Sequence, residues 1–143
     1  MTDRRTIRVD EFYPHPPAKV WRALVDPDLL TKWLMPSDFA AVVGHRFTFT
    51  TVPRPGVDFD GIVHCEVLAV EPERLLRFSW CGGHLDTTVT WTLAPEGRGT
   101  RLFLEHDGFD PDDPAQQFAL RTMGGGWRSH IMAALHDVLT GTP

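Results

Sequence analysis

Leu75-Leu76-Arg77-Phe78-Ser79-Trp80-Cys81-Gly82-Gly83-His84, followed by Leu85-Asp86-Thr87-Thr88-Val89-Thr90-Trp91-Thr92-Leu93, decides the fold. Phe78 and Trp80 share one parity before the Gly82-Gly83 turn, and Val89, Trp91 and Leu93 share one parity after it. That is the period-two signature of half-buried strands joined as an antiparallel hairpin. Downstream, Pro95-Glu96-Gly97-Arg98-Gly99 turns the chain again into Thr100 to His106, where Leu102, Leu104 and His106 form the inward row. Upstream, Glu71-Pro72-Glu73-Arg74 closes a strand from Ile62 to Val70 with Val63 and Cys65 inward. Phe47 and Phe49 alternate with threonines between Gly44 and the Pro53-Arg54-Pro55-Gly56 cluster. The whole reads as an antiparallel meander.

Both flanks of the meander change period. Thr6 to Tyr13 is a first strand ending at Pro14, with Ile7, Val9 and Tyr13 on one face. Prolines 14, 16 and 17 then open a short helix carrying Val20, Trp21 and Leu24. Asp26 caps a second, with Pro27 at its first position and Leu29, Leu30, Trp33 and Leu34 at helical steps up to Met35-Pro36. At the other end Met123, Trp127, Ile131 and Leu135 stand four apart, and Val138 and Leu139 prolong the stripe into a long terminal helix. Gly124-Gly125-Gly126 is discordant with helix; it reads as a close helix-to-sheet approach or as the point where the helix starts in earnest. The order of elements predicts an α+β domain over residues 1–143, its long helix lying across a curved sheet with a gap between them.

Composition narrows the function. With 143 residues and a formal net charge of −5, the chain lacks the clustered basic face that nucleic acid requires. No apolar run reaches the roughly 18 residues needed to span a bilayer, and no signal-peptide apolar region follows Met1, so the expected location is the cytoplasm. The seven histidines show no metal-ligand spacing, no G-x-S-x-G elbow is present, and Cys65 and Cys81 have opposite parities that disfavour a disulfide. No cofactor or metal is implied. Nine Phe, five Trp and one Tyr exceed what packing alone asks for, and raise the possibility of an aromatic-lined cavity. The expected lining residues are Trp33, Phe47, Phe49, Val63, Cys65, Phe78, Trp80, Trp91, Leu104, His106, Phe109, Met123, Trp127 and Ile131. His106, at the end of an inward row, is read as a satisfied structural imidazole, bonded to backbone or Asp107, that also orients a ligand.

Pro16-Pro17-Ala18-Lys19-Val20-Trp21-Arg22-Ala23-Leu24-Val25-Asp26-Pro27, Gly44-His45-Arg46-Phe47, Glu71 to Trp80, Gly99 to Phe109 and Gly126-Trp127 follow one another in the order of a known family. In this the chain resembles the START-like (SRPBCC, Bet v 1-like) superfamily, in the branch related to activators of the heat-shock protein 90 ATPase. The resemblance implies a helix-grip fold, in which a curved antiparallel sheet wraps the C-terminal helix around a hydrophobic cavity. It does not fix an activity, because one fold hosts many. The favoured expectation is a non-enzymatic protein, monomer or homodimer, that binds a hydrophobic or aromatic small molecule. The alternatives are a polyketide cyclase or aromatase-like enzyme using the same cavity, and a co-chaperone-like interaction module.

Overall fold

A computed structural model describes residues 4–53 and 59–141. Arg54, Pro55 and Gly56 of the expected turn, and Met1 at the N-terminus, lie outside the described residues. Strand β1 (Thr6–Tyr13) leads through helices α1 (Pro17–Val25) and α2 (Pro27–Trp33) to strands β2 (Arg46–Thr50), β3 (Ile62–Glu71), β4 (Leu75–Gly82), β5 (Leu85–Glu96) and β6 (Gly99–Asp107). The chain closes with α3 (Pro114–Gly126), a π-helical turn (Trp127–Ile131) and α4 (Met132–Gly141).

The strands form one antiparallel sheet in the order β1-β6-β5-β4-β3-β2. The meander runs as its turns dictate, and the first strand returns to pair with the last, Ile7 opposite His106 and Val9 opposite Leu104. Strand parity places Phe47, Phe49, Val63, Cys65, Phe78, Trp80, Val89, Trp91, Leu93, Leu102, Leu104 and His106 on the covered face, and all are buried. Burying an aliphatic or phenyl side chain of this kind stabilises the fold by about 1.5–3 kcal/mol, so this row holds the helices against the sheet. The Asp26 carboxylate accepts the Asp28 N–H at 2.9 Å, capping α2 as expected. Trp33 then donates its indole N–H to the Ala23 carbonyl at 2.9 Å, which ties α2 to α1.

The terminal helix departs from expectation at both of its irregular points. It begins at Pro114, where Asp113 accepts the Ala115 N–H at 2.9 Å, so the glycine run lies inside the helix and does not start it. After Gly126 the Met132 N–H donates to the Trp127 carbonyl, which inserts one extra residue into the turn. The buried positions therefore run Gln117, Leu120, Gly124, Trp127, Met132, Leu135, Leu139. The expected unbroken stripe is corrected accordingly: Met123 and Ile131 are only half-buried. Tyr13 donates its hydroxyl to the Met132 carbonyl at 2.9 Å and pins the irregular turn to β1.

Candidate functional site

A cavity of about 680 Å³ lies between the sheet and the terminal helix, a size suited to a small organic molecule. Val63, Trp80 and Leu85 form its sheet side, Leu34, Met35, Thr51 and Phe59 one flank, and Gly82, Gly83 and His84 the β4–β5 turn. The helical side is a regular stripe. Ala115, Phe118, Ala119, Thr122, Gly126, Ser129 and His130 recur at steps of three and four, with Met123, Gly125, Trp127 and Ile131 beside them.

The stripe changes character along its length, from mainly apolar between Ala115 and Met123, through bare backbone at Gly125 and Gly126, to polar at Ser129 and His130. Among the described residues lining the cavity, His84 and His130 are the titratable side chains. Gln116 donates its amide to the His84 carbonyl at 3.0 Å, holding that turn against the start of α3. The rise of a helix from Ala115 to His130 is about 20 Å, so the two imidazoles stand at opposite ends.

The glycines of the wall have helical backbone, with φ −62° and ψ −47° at Gly126. Each weakens a helix by about 0.8–1.0 kcal/mol relative to alanine. A Cβ added at Gly124 would lie 3.9 Å from the Ile7 side chain and 3.2 Å from Arg128 Nη1, whereas at Gly125 and Gly126 it would meet nothing within 4 Å. Close approach thus accounts for Gly124 in mild form. Neither backbone conformation nor packing asks for glycine at 125 or 126, and what their missing side chains leave open is the cavity.

Of the fourteen residues expected from sequence to line a cavity, Val63, Trp80, Met123, Trp127 and Ile131 stand on its wall. Trp33, Phe47, Phe49, Cys65, Phe78, Trp91, Leu104, His106 and Phe109 are buried behind it. They support the wall: Trp91 packs edge-on against Trp127 with ring centres 5.7 Å apart, and Phe49 lies tilted against Trp80 at 5.5 Å and 35°. Trp80 and Trp127 meet at 5.9 Å and an interplanar angle of 62°.

His106 is fully committed. Trp127 donates its indole N–H to Nδ1 at 3.3 Å, which puts the ring proton on Nε2, 2.8 Å from Thr87 Oγ1. The Thr87 hydroxyl passes its own proton to the Trp80 carbonyl at 2.8 Å. The partners are therefore Thr87 and Trp127, while Asp107 takes the Thr6 hydroxyl. Burial pushes the His106 imidazole down to about 3, so it is neutral. It positions Trp127 and has no lone pair left for a ligand. Glu11, Arg77 and Asp107 are exposed and do not line the cavity.

Cys65 is buried, and Cys81 stands opposite His64 on the other face of the sheet. Burial raises both thiols, and for Cys81 its hydrogen bond to Asp86 adds to this, so neither is an activated thiolate. Among the described residues no three His, Cys, Asp or Glu side chains converge as a metal site, and no helix is long and apolar enough to cross a membrane.

A family model described as "Activator of Hsp90 ATPase homolog 1-like protein" matches residues 14–140. Protein MLL2253 from Mesorhizobium loti is 39% identical, with a TM-score of 0.85 over 97% of this chain and 99% of that one. CalU16 from Micromonospora echinospora is 26% identical, with a TM-score of 0.75 over 94% of this chain and 76% of its own. DynU16, a protein of the dynemicin biosynthetic locus, is 25% identical with a TM-score of 0.77; the match covers 99% of this chain but 49% of DynU16. None of the curated proteins matches the chain.

Proposed function

The chain belongs to the family of Activator of Hsp90 ATPase homolog 1-like proteins, and from that premise we propose that it is a cyclase- or aromatase-like enzyme that folds an apolar small molecule within the cavity. The expectation of a non-enzymatic protein is withdrawn on the likeness to CalU16 and DynU16, the second of which comes from a biosynthetic locus. The observation that carries the proposal is the cavity of about 680 Å³, whose wall is aromatic and aliphatic apart from a few polar groups. Such a wall leaves a reactive chain few ways to lie.

Ring closure of a poly-carbonyl chain needs little more. A carbon between two carbonyls loses a proton to an imidazole, the carbanion attacks a ketone further along the same molecule, and the new alkoxide takes the proton back. That attack closes the ring, and loss of water from the resulting alcohol then makes it unsaturated, with nothing oxidised or reduced. Imidazole suits both transfers near neutrality, and His130, on the cavity wall beside Ser129, is the group assigned to them. The test is ring formation from a linear poly-β-ketone thioester, followed by absorbance. The enzyme reading expects a rate above that in buffer and at least a tenfold loss in His130→Ala. The second reading, a carrier, rests on the same apolar wall and expects binding without acceleration.

A further inference from the structure

The helical wall offers three kinds of surface within two turns. Trp127 offers only apolar surface to the cavity, because its indole N–H is held by His106 at 3.3 Å. Trp80 meets it nearly edge-on, so two indoles bound one corner of the space. Beside that corner Gly125 and Gly126 present bare backbone, where a Cβ would touch nothing within 4 Å. One step further along the same stripe come the Ser129 hydroxyl and the His130 imidazole. A slot between an indole corner and uncovered peptide groups suits the face of a planar ring, since aromatic edges and faces pack well there. A flexible alkyl chain gains less from it. The adjacent hydroxyl and imidazole supply donors and acceptors for an oxygen on the ring's rim.

We propose that Gly125, Gly126, Trp80 and Trp127 form a subsite for a planar ring, and that Ser129 and His130 hold a hydroxyl or enol oxygen on that ring. The substrate class is then a compact oxygenated aromatic, or a chain folding towards one, and not a long acyl chain. This rests on the cavity being the substrate site. Gly126 is on this account a specificity-determining position: any side chain there enters the slot.

The inference is tested by isothermal titration with 1-naphthol, naphthalene and dodecanoic acid. The wild-type protein should bind 1-naphthol about tenfold more tightly than naphthalene, and dodecanoic acid more weakly than 1-naphthol. His130→Ala should cut the naphthol preference to below twofold while leaving naphthalene binding within twofold. Gly126→Leu should lose 1-naphthol binding at least tenfold with an unchanged far-ultraviolet dichroism spectrum. If that variant does not fold, Gly126→Ala, which favours helix, should still weaken 1-naphthol several-fold. Unaltered 1-naphthol binding in the folded Gly126 variant overturns the subsite, as does tighter binding of dodecanoic acid by the wild type. Absence of binding by all three overturns the subsite and the cavity reading together. The expected binding pattern without any ring-closure activity removes the enzyme reading and leaves the subsite standing.

Discussion

Trp127 donates its indole N–H to Nδ1 of His106 across 3.3 Å, and this bond joins the terminal helix to the last strand of the sheet behind the cavity wall. Removing the acceptor leaves a buried N–H without a partner, which costs about 1–3 kcal/mol. His106→Leu should therefore lower the free energy of unfolding by that amount in urea melts. It should also weaken ligand binding, although His106 does not line the cavity. Full stability in this variant would show that the bond does not hold Trp127 in place.

The same imidazole makes stability depend on pH. An unfolded histidine titrates near 6.5, whereas burial pushes His106 down to about 3 in the fold. Between those values the unfolded chain binds the extra proton, so stability rises with pH across that window and is lost as pH falls below about 6.5. The gap in unfolding free energy between wild type and His106→Gln should narrow by about 2 kcal/mol from pH 6.5 to pH 5. Exposed carboxylates titrate in both proteins and cancel. A gap independent of pH would contradict a neutral buried His106.

Glycines in this chain answer to different constraints. Gly126→Ala should raise stability by about 1 kcal/mol, because helix propensity improves and the new methyl group meets nothing within 4 Å. Gly99→Ala should lower it, since a Cβ there would collide with the Tyr13 carbonyl and the Phe12 ring. Thermal melts of the two variants should move in opposite directions. A destabilised Gly126→Ala would mean that the glycine is needed for packing.

Tyr13 is the chain's one tyrosine, and its buried hydroxyl donates to the Met132 carbonyl at 2.9 Å. Tyr13→Phe should cost about 1 kcal/mol. Burial, and to a lesser degree Glu11, hold the phenol above its ordinary range. An alkaline titration at 295 nm should show no phenolate until the protein unfolds. A reversible transition near pH 10 in the native state would place the hydroxyl in solvent.

Much of this was legible in the sequence, and what was not has a physical cause. Strand parity located the inner face, because a side-chain period of two leaves one buried set once Phe78, Trp80 and Trp91 are fixed. The start of α3 carries the same Asp-Pro signal as α2, at Asp113-Pro114, but the glycine run downstream reads against a continuous helix. Only with that start does the stripe from Ala115 to His130 follow from helical spacing. The extra residue of the π turn has no sequence signature. It moved Met132 into the core in place of Ile131. Parity also cannot separate a residue facing a cavity, such as Val63, from one packed behind it, such as Trp91.

The central claim, that the space between sheet and helix is where this protein works, is tested most directly by nuclear magnetic resonance. With 1-naphthol as the probe, the account predicts the largest shifts at the indole resonances of Trp80 and Trp127, at His130 and at the Gly125 and Gly126 amides, all of which line the cavity. The exposed outer-face residues Phe12 and Phe103 should stay unmoved. Shifts centred on that outer face, with the cavity residues unchanged, would contradict it.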